Sequence, residues 1–267
     1  RDLDSSLVGS EMCIRDRALR EQLPLEDMIY LGDTARLPYG TKSPASISRY
    51  ACQATRLLQQ RDIKMLIVAC NTASAVALEA LREQMHPLPV IGVLGPGAGA
   101  AVSARPAGRH LVLATEATVR LGAYRRAIME LDPAAEVTEL ACEMLVSLAE
   151  EGWSSGAIAD AIVARYVEEL GDAASVVDSV ILGCTHFPLL REPIASAFAP
   201  DVALVDSANT TAAAAADMLE SLDLGNPSER PGGLQLLATD GATRFARVGG
   251  WFLGTELTAD DVDLVDL

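Results

Sequence analysis

Short apolar runs alternate along the chain with longer segments whose apolar residues recur at helical spacing. Met28-Ile29-Tyr30-Leu31 closes on Gly32-Asp33, and Met65-Leu66-Ile67-Val68 is apolar at every position. A run that is apolar on both faces of the pleat is how a buried parallel strand reads. Val90-Ile91-Gly92-Val93, Leu111-Val112-Leu113-Ala114, Val202-Ala203-Leu204-Val205 and Leu234-Gln235-Leu236-Leu237-Ala238 fit the same template. Residues 176–182 read as another buried strand and Val137-Thr138-Glu139-Leu140 as a weaker one. Between them, Ile47, Tyr50, Ala54, Leu57 and Leu58 share one face of a helix over residues 46–60. Helices are also expected over residues 72–85, 117–130, 144–151, 155–170, 188–198, 210–219 and 242–253, with Ser154 or Ser155 capping the one at 155–170. Gly95-Pro96-Gly97 reads as a turn, residues 223–233 as a loop and residues 255–267 as an acidic tail. Strand–helix alternation of this kind implies parallel sheets covered by helices on both faces. Ligands of such folds sit beyond the carboxyl ends of the strands, and the chemistry is sought there.

Composition narrows the classes. The chain has 267 residues, half of them hydrophobic but only 4% aromatic, so its core is built from Ala, Val, Leu and Ile. Lys plus Arg is 21 against 37 Asp plus Glu, a net charge of −16. That surface repels phosphates and argues against a nucleic-acid or anionic-membrane partner. The longest uncharged apolar stretch, residues 88–104, is interrupted by glycines and is a poor membrane helix. The N-terminus has no basic-then-apolar signal pattern. Cys13, Cys52, Cys70, Cys142 and Cys184 are far apart with no CxxC pair, which fits a reducing cytoplasm better than a disulfide framework or a zinc site. Only Lys42 and Lys64 are lysines. Lys42 lies in a turn-rich segment and Lys64 at the start of a strand, so a Schiff-base cofactor such as pyridoxal phosphate has no suitable anchor and a cofactor-free reaction is expected.

Two strand ends match. Leu66-Ile67-Val68-Ala69-Cys70-Asn71-Thr72 and Val180-Ile181-Leu182-Gly183-Cys184-Thr185-His186 each run from a buried strand through one small residue to a cysteine and two polar residues. Each is then expected to enter a helix. Their separation, 184 − 70 = 114 residues, is close to one α/β unit. A lone cysteine after a strand is more often an inert core residue. Two copies in register with polar neighbours point to function. A thiol at a helix N-terminus is biased towards thiolate, and the same N–H groups can hold a carboxylate. If the halves face each other, two sulfurs flank one ligand and suit a 1,1-proton transfer at a carbon α to a carboxylate. The expected fold class is therefore α/β: two doubly wound parallel-sheet domains related by pseudo-twofold symmetry, with the active site between them. Cys52, mid-helix, and Cys142, without a partner motif, read as packing.

At these residues the chain resembles the glutamate racemases of the cofactor-independent aspartate/glutamate racemase superfamily. The resemblance covers about residues 17–254. It rests on Tyr30-Leu31-Gly32-Asp33-Thr34-Ala35-Arg36-Leu37-Pro38-Tyr39-Gly40, on Ala69-Cys70-Asn71-Thr72-Ala73-Ser74 and on Leu182-Gly183-Cys184-Thr185-His186-Phe187-Pro188-Leu189. It implies that Cys70 and Cys184 are the two acid/bases. It also implies that Asn71, Thr72 and Thr185 hold the substrate's carboxylate and ammonium, that Tyr39 and Gly40 line the pocket, and that Thr115 and Thr118 touch substrate. His186 would assist proton transfer at Cys184, held by Glu150. The family implies a cytoplasmic homodimer, with no cofactor or metal, that converts L-glutamate to D-glutamate for peptidoglycan. Its pattern implies one domain from residues 1–95 plus 208–267 and another from 96–207.

Residues 1–16 depart from that pattern. The family opens with an apolar strand and Asp-Ser-Gly-x-Gly-Gly. Counting back from Leu23-Pro24 puts Asp-Ser-Gly at Leu7-Val8-Gly9, where only the glycine agrees, and Asp4-Ser5 is displaced by three residues. The polar start is expected not to supply the opening strand, and the residue that assists Cys70 is left open. Three other readings stand beside the racemase. Another racemase of the superfamily would prefer a different amino acid. An impaired amino-acid-binding protein would bind without exchanging Cα–H. A thiol hydrolase using Cys184 and His186 would leave Cys70 unused.

Overall fold

The computed structural model describes residues 5–9 and 14–267, with side chains from residue 16 onward; Asp4 and Cys13 lie outside the described residues. In chain order the elements begin with β1 (Ser5–Gly9), α1 (Ile14–Gln22), β2 (Met28–Gly32), α2 (Pro44–Gln59), β3 (Met65–Val68), α3 (Asn71–Met85) and β4 (Val90–Gly92). They continue with α4 (Leu94–Ala104), β5 (Arg109–Ala114), α5 (Glu116–Arg120), α6 (Ala123–Leu131), β6 (Glu136–Ala141), α7 (Glu143–Glu150), α8 (Ala157–Leu170) and β7 (Ser179–Gly183). The last are α9 (Arg191–Ser196), β8 (Ala203–Val205), α10 (Ala208–Ser221), β9 (Leu234–Ala238), α11 (Ala242–Leu253) and β10 (Val262–Leu264). The chain divides into two compact units, Arg1–Val93 with Ala208–Leu267, and Leu94–Ser207. Among the described residues, no helix is long and apolar enough to cross a membrane.

The first unit holds a six-stranded sheet in the order β10-β9-β2-β1-β3-β4. Every pairing in it is parallel. The second unit holds a four-stranded parallel sheet, β6-β5-β7-β8. β2, β3 and β7 are buried at every position, as their unbroken apolar runs require of strands covered on both faces. α2 is started by Ser43, whose hydroxyl accepts from the Ser46 N–H at 3.3 Å, with Pro44 in the first turn. Its buried stripe of Ile47, Ala51, Ala54 and Leu58 has helical spacing and packs towards α3. The core of the first unit joins Tyr30, Met65 and Ile67 to Leu19, Ala212, Leu236 and Phe245. That of the second joins Leu111, Leu113, Val180 and Leu182 to Leu145, Leu148, Val163 and Phe187.

The opening strand corrects the sequence reading. β1 lies between β2 and β3, with Ser5 opposite Met28 and Met65 and Gly9 opposite Gly32. It is interior to the sheet. A ladder is made by backbone N–H and C=O groups, which serine supplies as well as valine does.

Smaller corrections have similar causes. Residues 94–104 form a helix despite Gly95-Pro96-Gly97, because Pro96 falls in the first turn, where no intrahelical N–H is required. Residues 117–130 are two helices, broken where Gly122 takes φ of 57°. Residues 188–198 are a 3₁₀ turn, Phe187–Leu190, followed by the short α9. Neither Ser154 nor Ser155 caps α8, which follows Gly156 at φ of 84° with no side-chain cap. The tail is ordered: a Thr258–Asp261 capping box leads into β10, which pairs with β9.

Two buried polar features lie at the amino ends of the strands. Lys64 and Glu26 form an ion pair, 4% and 5% exposed, and Glu26 also accepts from the Asn226 N–H at 2.7 Å. Lys64 is thereby committed to tying residue 226 to the sheet. His110, 1% exposed, has Nδ1 2.7 Å from the Ser179 hydroxyl, while its Nε2 is buried with no hydrogen-bond partner among the described residues. Burial pushes its pKa below the ordinary 6.5, against the opposing charges of Asp132 and Asp178. A histidine that resists protonation when folded binds fewer protons than it does unfolded, so stability falls as pH drops through that ordinary value. The thermal midpoint is expected to fall between about pH 7.5 and about pH 5.5, and less steeply in His110→Gln. An equal slope in both proteins would contradict this.

Candidate active site

In the first unit the candidate residues gather at the carboxyl edge of the sheet. β3 ends at Val68, and Cys70 follows as the N-cap of α3, its sulfur 3.5 Å from the Ala73 N–H. The thiol is 5% exposed, and Asn71 and Thr72, in the first turn of α3, are 2% and 3% exposed. A sulfur in this position accepts from the Ala73 N–H and feels the positive end of a fifteen-residue helix. Ser74 fixes the turn, donating to the Val68 carbonyl at 2.8 Å and accepting from the Val93 N–H at 3.3 Å.

The segment after β2 forms two 3₁₀ turns, Thr34–Arg36 and Tyr39–Thr41. The second contains Tyr39 and Gly40, both buried, and packs against α3. Tyr39 donates to Asp33 Oδ2 at 2.5 Å. Burial above all, then the charge and hydrogen bond of Asp33 and negative charge at Cys70, push the phenol pKa far up, so Tyr39 is a neutral hydroxyl. Asp33 lies in the Gly32-Asp33-Thr34 stretch, where the sequence pattern assigns it no role. It is fully buried and also accepts from the Thr239 hydroxyl at 3.1 Å. The available signal was its place directly after a buried strand, where a carboxylate is rarely left without partners.

In the second unit Cys184, 5% exposed, follows Gly183 at the end of β7. A Cβ on Gly183 would lie 2.8 Å from the Leu113 carbonyl oxygen, which explains the small residue before this cysteine. The expected α-helix N-terminus is absent here. The chain enters only the four-residue 3₁₀ turn Phe187–Leu190 before the short α9. Cys184 is served instead by a side chain. His186 Nδ1 lies 3.6 Å from its sulfur and 3.3 Å from the Thr185 hydroxyl, and Nε2 lies 3.5 Å from Glu150 Oε1. Thiol, imidazole and carboxylate thus form a chain in which the carboxylate orients the ring and the ring can exchange a proton with sulfur. Just past the neighbouring strand β5, Thr115, the N-cap of α5, and Thr118 within α5 share a hydrogen bond of 3.1 Å, and both are buried.

Tyr39, Gly40, Cys70, Asn71 and Thr72 are therefore brought together in the first unit. Thr115, Thr118, Glu150, Cys184, Thr185 and His186 belong to the second. Among the described residues, no group of three or more His, Cys, Asp or Glu side chains is arranged to hold a metal.

Known proteins match over most of the chain. The Asp/Glu/Hydantoin racemase family matches residues 13–215. A glutamate racemase of Geobacter metallireducens is 46% identical over 235 residues, covering 88% of this chain and 86% of that protein. The crystal structure of glutamate racemase from Francisella tularensis in complex with D-glutamate is 33% identical, with a TM-score of 0.91 over 99% of this chain and 98% of that one. A Bacillus anthracis glutamate racemase isoform, 30% identical, aligns with a TM-score of 0.92 over the same shares. By family match and by relatives of this identity, the chain belongs to the Asp/Glu/Hydantoin racemase family, among its glutamate racemases.

Proposed function

We propose that this chain interconverts L- and D-glutamate by a 1,1-proton transfer in which Cys70 and Cys184 are the two acid/bases. The observation that carries the reading is a buried cysteine just past the carboxyl end of an interior parallel strand in each unit, beside hydroxyl and amide side chains. One thiolate takes the Cα proton, so the Cα–H bond breaks and an S–H bond forms. The electron pair left on Cα delocalises into the α-carboxylate. The other thiol then gives its proton to the opposite face, and the configuration inverts with no change in oxidation state. Asn71, Thr72, Thr185 and the Thr115–Thr118 pair supply the polar contacts for the substrate's carboxylates and ammonium, and Tyr39 and Gly40 wall the pocket. N–H groups at the start of α3 favour a bound carboxylate and offset the repulsion of an acidic protein for an acidic substrate. His186, oriented by Glu150, assists proton transfer at Cys184. The family resemblance extends the proposal to a cytoplasmic homodimer that supplies D-glutamate for peptidoglycan.

The test is circular dichroism of each glutamate enantiomer incubated with the purified chain, with no pyridoxal phosphate, metal or nucleotide added. Both signals are expected to decay to zero. A persistent signal, or faster turnover of aspartate than of glutamate, would contradict the proposal.

A further inference from the structure

We propose that Asp33 and Thr239 are positioning residues for the Cys70 half of the reaction, acting through Tyr39. The inference rests on the racemase reading above. Thr239 follows β9, the neighbour of β2, and its hydroxyl has two tasks. It donates to Asp33 Oδ1 at 3.1 Å and accepts from the Ala35 N–H at 2.9 Å. Thr34 repeats the link in both directions, donating to the Asp240 carbonyl at 2.5 Å and accepting from the Asp240 N–H at 2.9 Å. The segment that carries Tyr39 is thus pinned at its root to the end of β9. Arg36 lies 3.6 Å from Asp33 and stacks 4.7 Å from the Tyr50 ring centroid, closing the same bracket from the other side.

The bracket bears on chemistry because of what Tyr39 does with its proton. A buried phenol beside a thiolate would normally donate to it, and that donation would weaken the thiolate as a base. Here the phenolic hydrogen is committed to Asp33 Oδ2 at 2.5 Å, while the 3₁₀ turn bearing the ring packs against α3, the helix that Cys70 caps. Asp33 therefore keeps the phenolic hydrogen on its own carboxylate, away from the Cys70 thiolate, while the turn that bears the ring stays packed against α3. Thr239 keeps the carboxylate in the orientation that does so. Neither residue needs to touch substrate.

The test compares Thr239→Val, Tyr39→Phe and the double variant, with Thr239→Ser as the conservative replacement. Thr239→Val keeps the shape and removes the hydroxyl. It is expected to lower kcat roughly ten- to hundredfold with little change in KM, since small misplacements at a reacting centre cost this much. Thr239→Ser should restore most of the rate. In the Tyr39→Phe background Thr239→Val should cost little more, because the effect runs through the phenol. Primary isotope effects on kcat/KM with Cα-deuterated substrates supply the readout that general loosening would not move. Slowing only the Cys70 transfers raises the effect for the enantiomer that Cys70 deprotonates. It lowers the effect for the other enantiomer, whose return proton comes from Cys70. Isotope effects that move together, additive losses in the double variant, or a Thr239→Val enzyme as fast as the parent would overturn the proposal. Should Thr239→Val fail to fold by circular dichroism, Asp33→Asn takes its place in the same cycle, judged by the same outcomes. If Cys70→Ala racemises normally, the underlying two-thiol reading has failed; if it is inactive while Thr239→Val is unaffected, only the positioning role has.

Discussion

Cys70→Ala and Cys184→Ala are each expected to abolish two-way racemisation, by about 10⁴-fold or more, while Cys52→Ala and Cys142→Ala keep turnover near that of the parent. Each direction of the reaction needs one group to take a proton and another to give one, so removing either thiol stops both directions. The remaining thiol can still take part in exchange at the face it serves. Cys142 is the demanding control. It is fully buried in the second unit, and negative charge at Cys184 is among the influences that act on it. Burial foremost, then the charges of Glu169, Cys184 and Glu143, push its thiol pKa far up, and its sulfur donates to the Leu140 carbonyl at 3.6 Å. It is a neutral packing group, and alanine there costs on the order of 1 kcal/mol of stability with the chemistry intact. Measured kcat values and thermal midpoints for the four variants decide the matter. Two-way racemisation retained in either site variant would remove the two-thiol assignment.

The second large effect is a gain. Leu7→Asp combined with Val8→Ser is expected to raise kcat/KM by roughly 10²–10⁴-fold, the usual worth of general acid–base assistance. The family pattern has an Asp-Ser pair at these positions, and the resemblance implies that such an Asp would assist the first cysteine and such a Ser would bind substrate. The register shows why the place matters. Val8 pairs with Val68, two residues before Cys70, and Gly9 pairs with Gly32, the residue before Asp33. The carboxyl end of β1 thus opens onto the same sheet edge as Cys70 and Asp33. Because the chain forms β1, the two substitutions are introduced into a strand that is already paired. Steady-state rates in both directions, with the thermal midpoint measured alongside, check the expectation. A double variant no faster than the parent would show that Leu7 and Val8 cost the enzyme nothing.

Much of this architecture was legible because the strands are buried on both faces. Met65-Leu66-Ile67-Val68 and Val180-Ile181-Leu182 admit no solvent-facing side, and a continuous apolar run records that directly. The cysteine turns were legible because a small residue, a thiol and polar groups at a strand end serve no packing purpose twice. β1 was missed because its pairing is carried by the backbone, to which Ser5-Ser6 is no obstacle. β10 was missed because an edge strand with Asp263 on it looks like any acidic tail. The Asp33–Thr239 contact joins residues 206 positions apart, and no local pattern could announce it. The difference between the thiols was also invisible. Both strand ends suggest a helix N-terminus, but only Cys70 caps one, and Cys184 relies on His186 and Glu150.

The most direct measurement follows the Cα hydrogen of L-glutamate during the first few per cent of conversion in D₂O, by NMR of substrate and product. If separate thiols take and give the proton, the D-glutamate formed carries deuterium at Cα while the remaining L-glutamate keeps its protium. D-glutamate that retains the original protium would mean that one group does both jobs, and would contradict the two-thiol account.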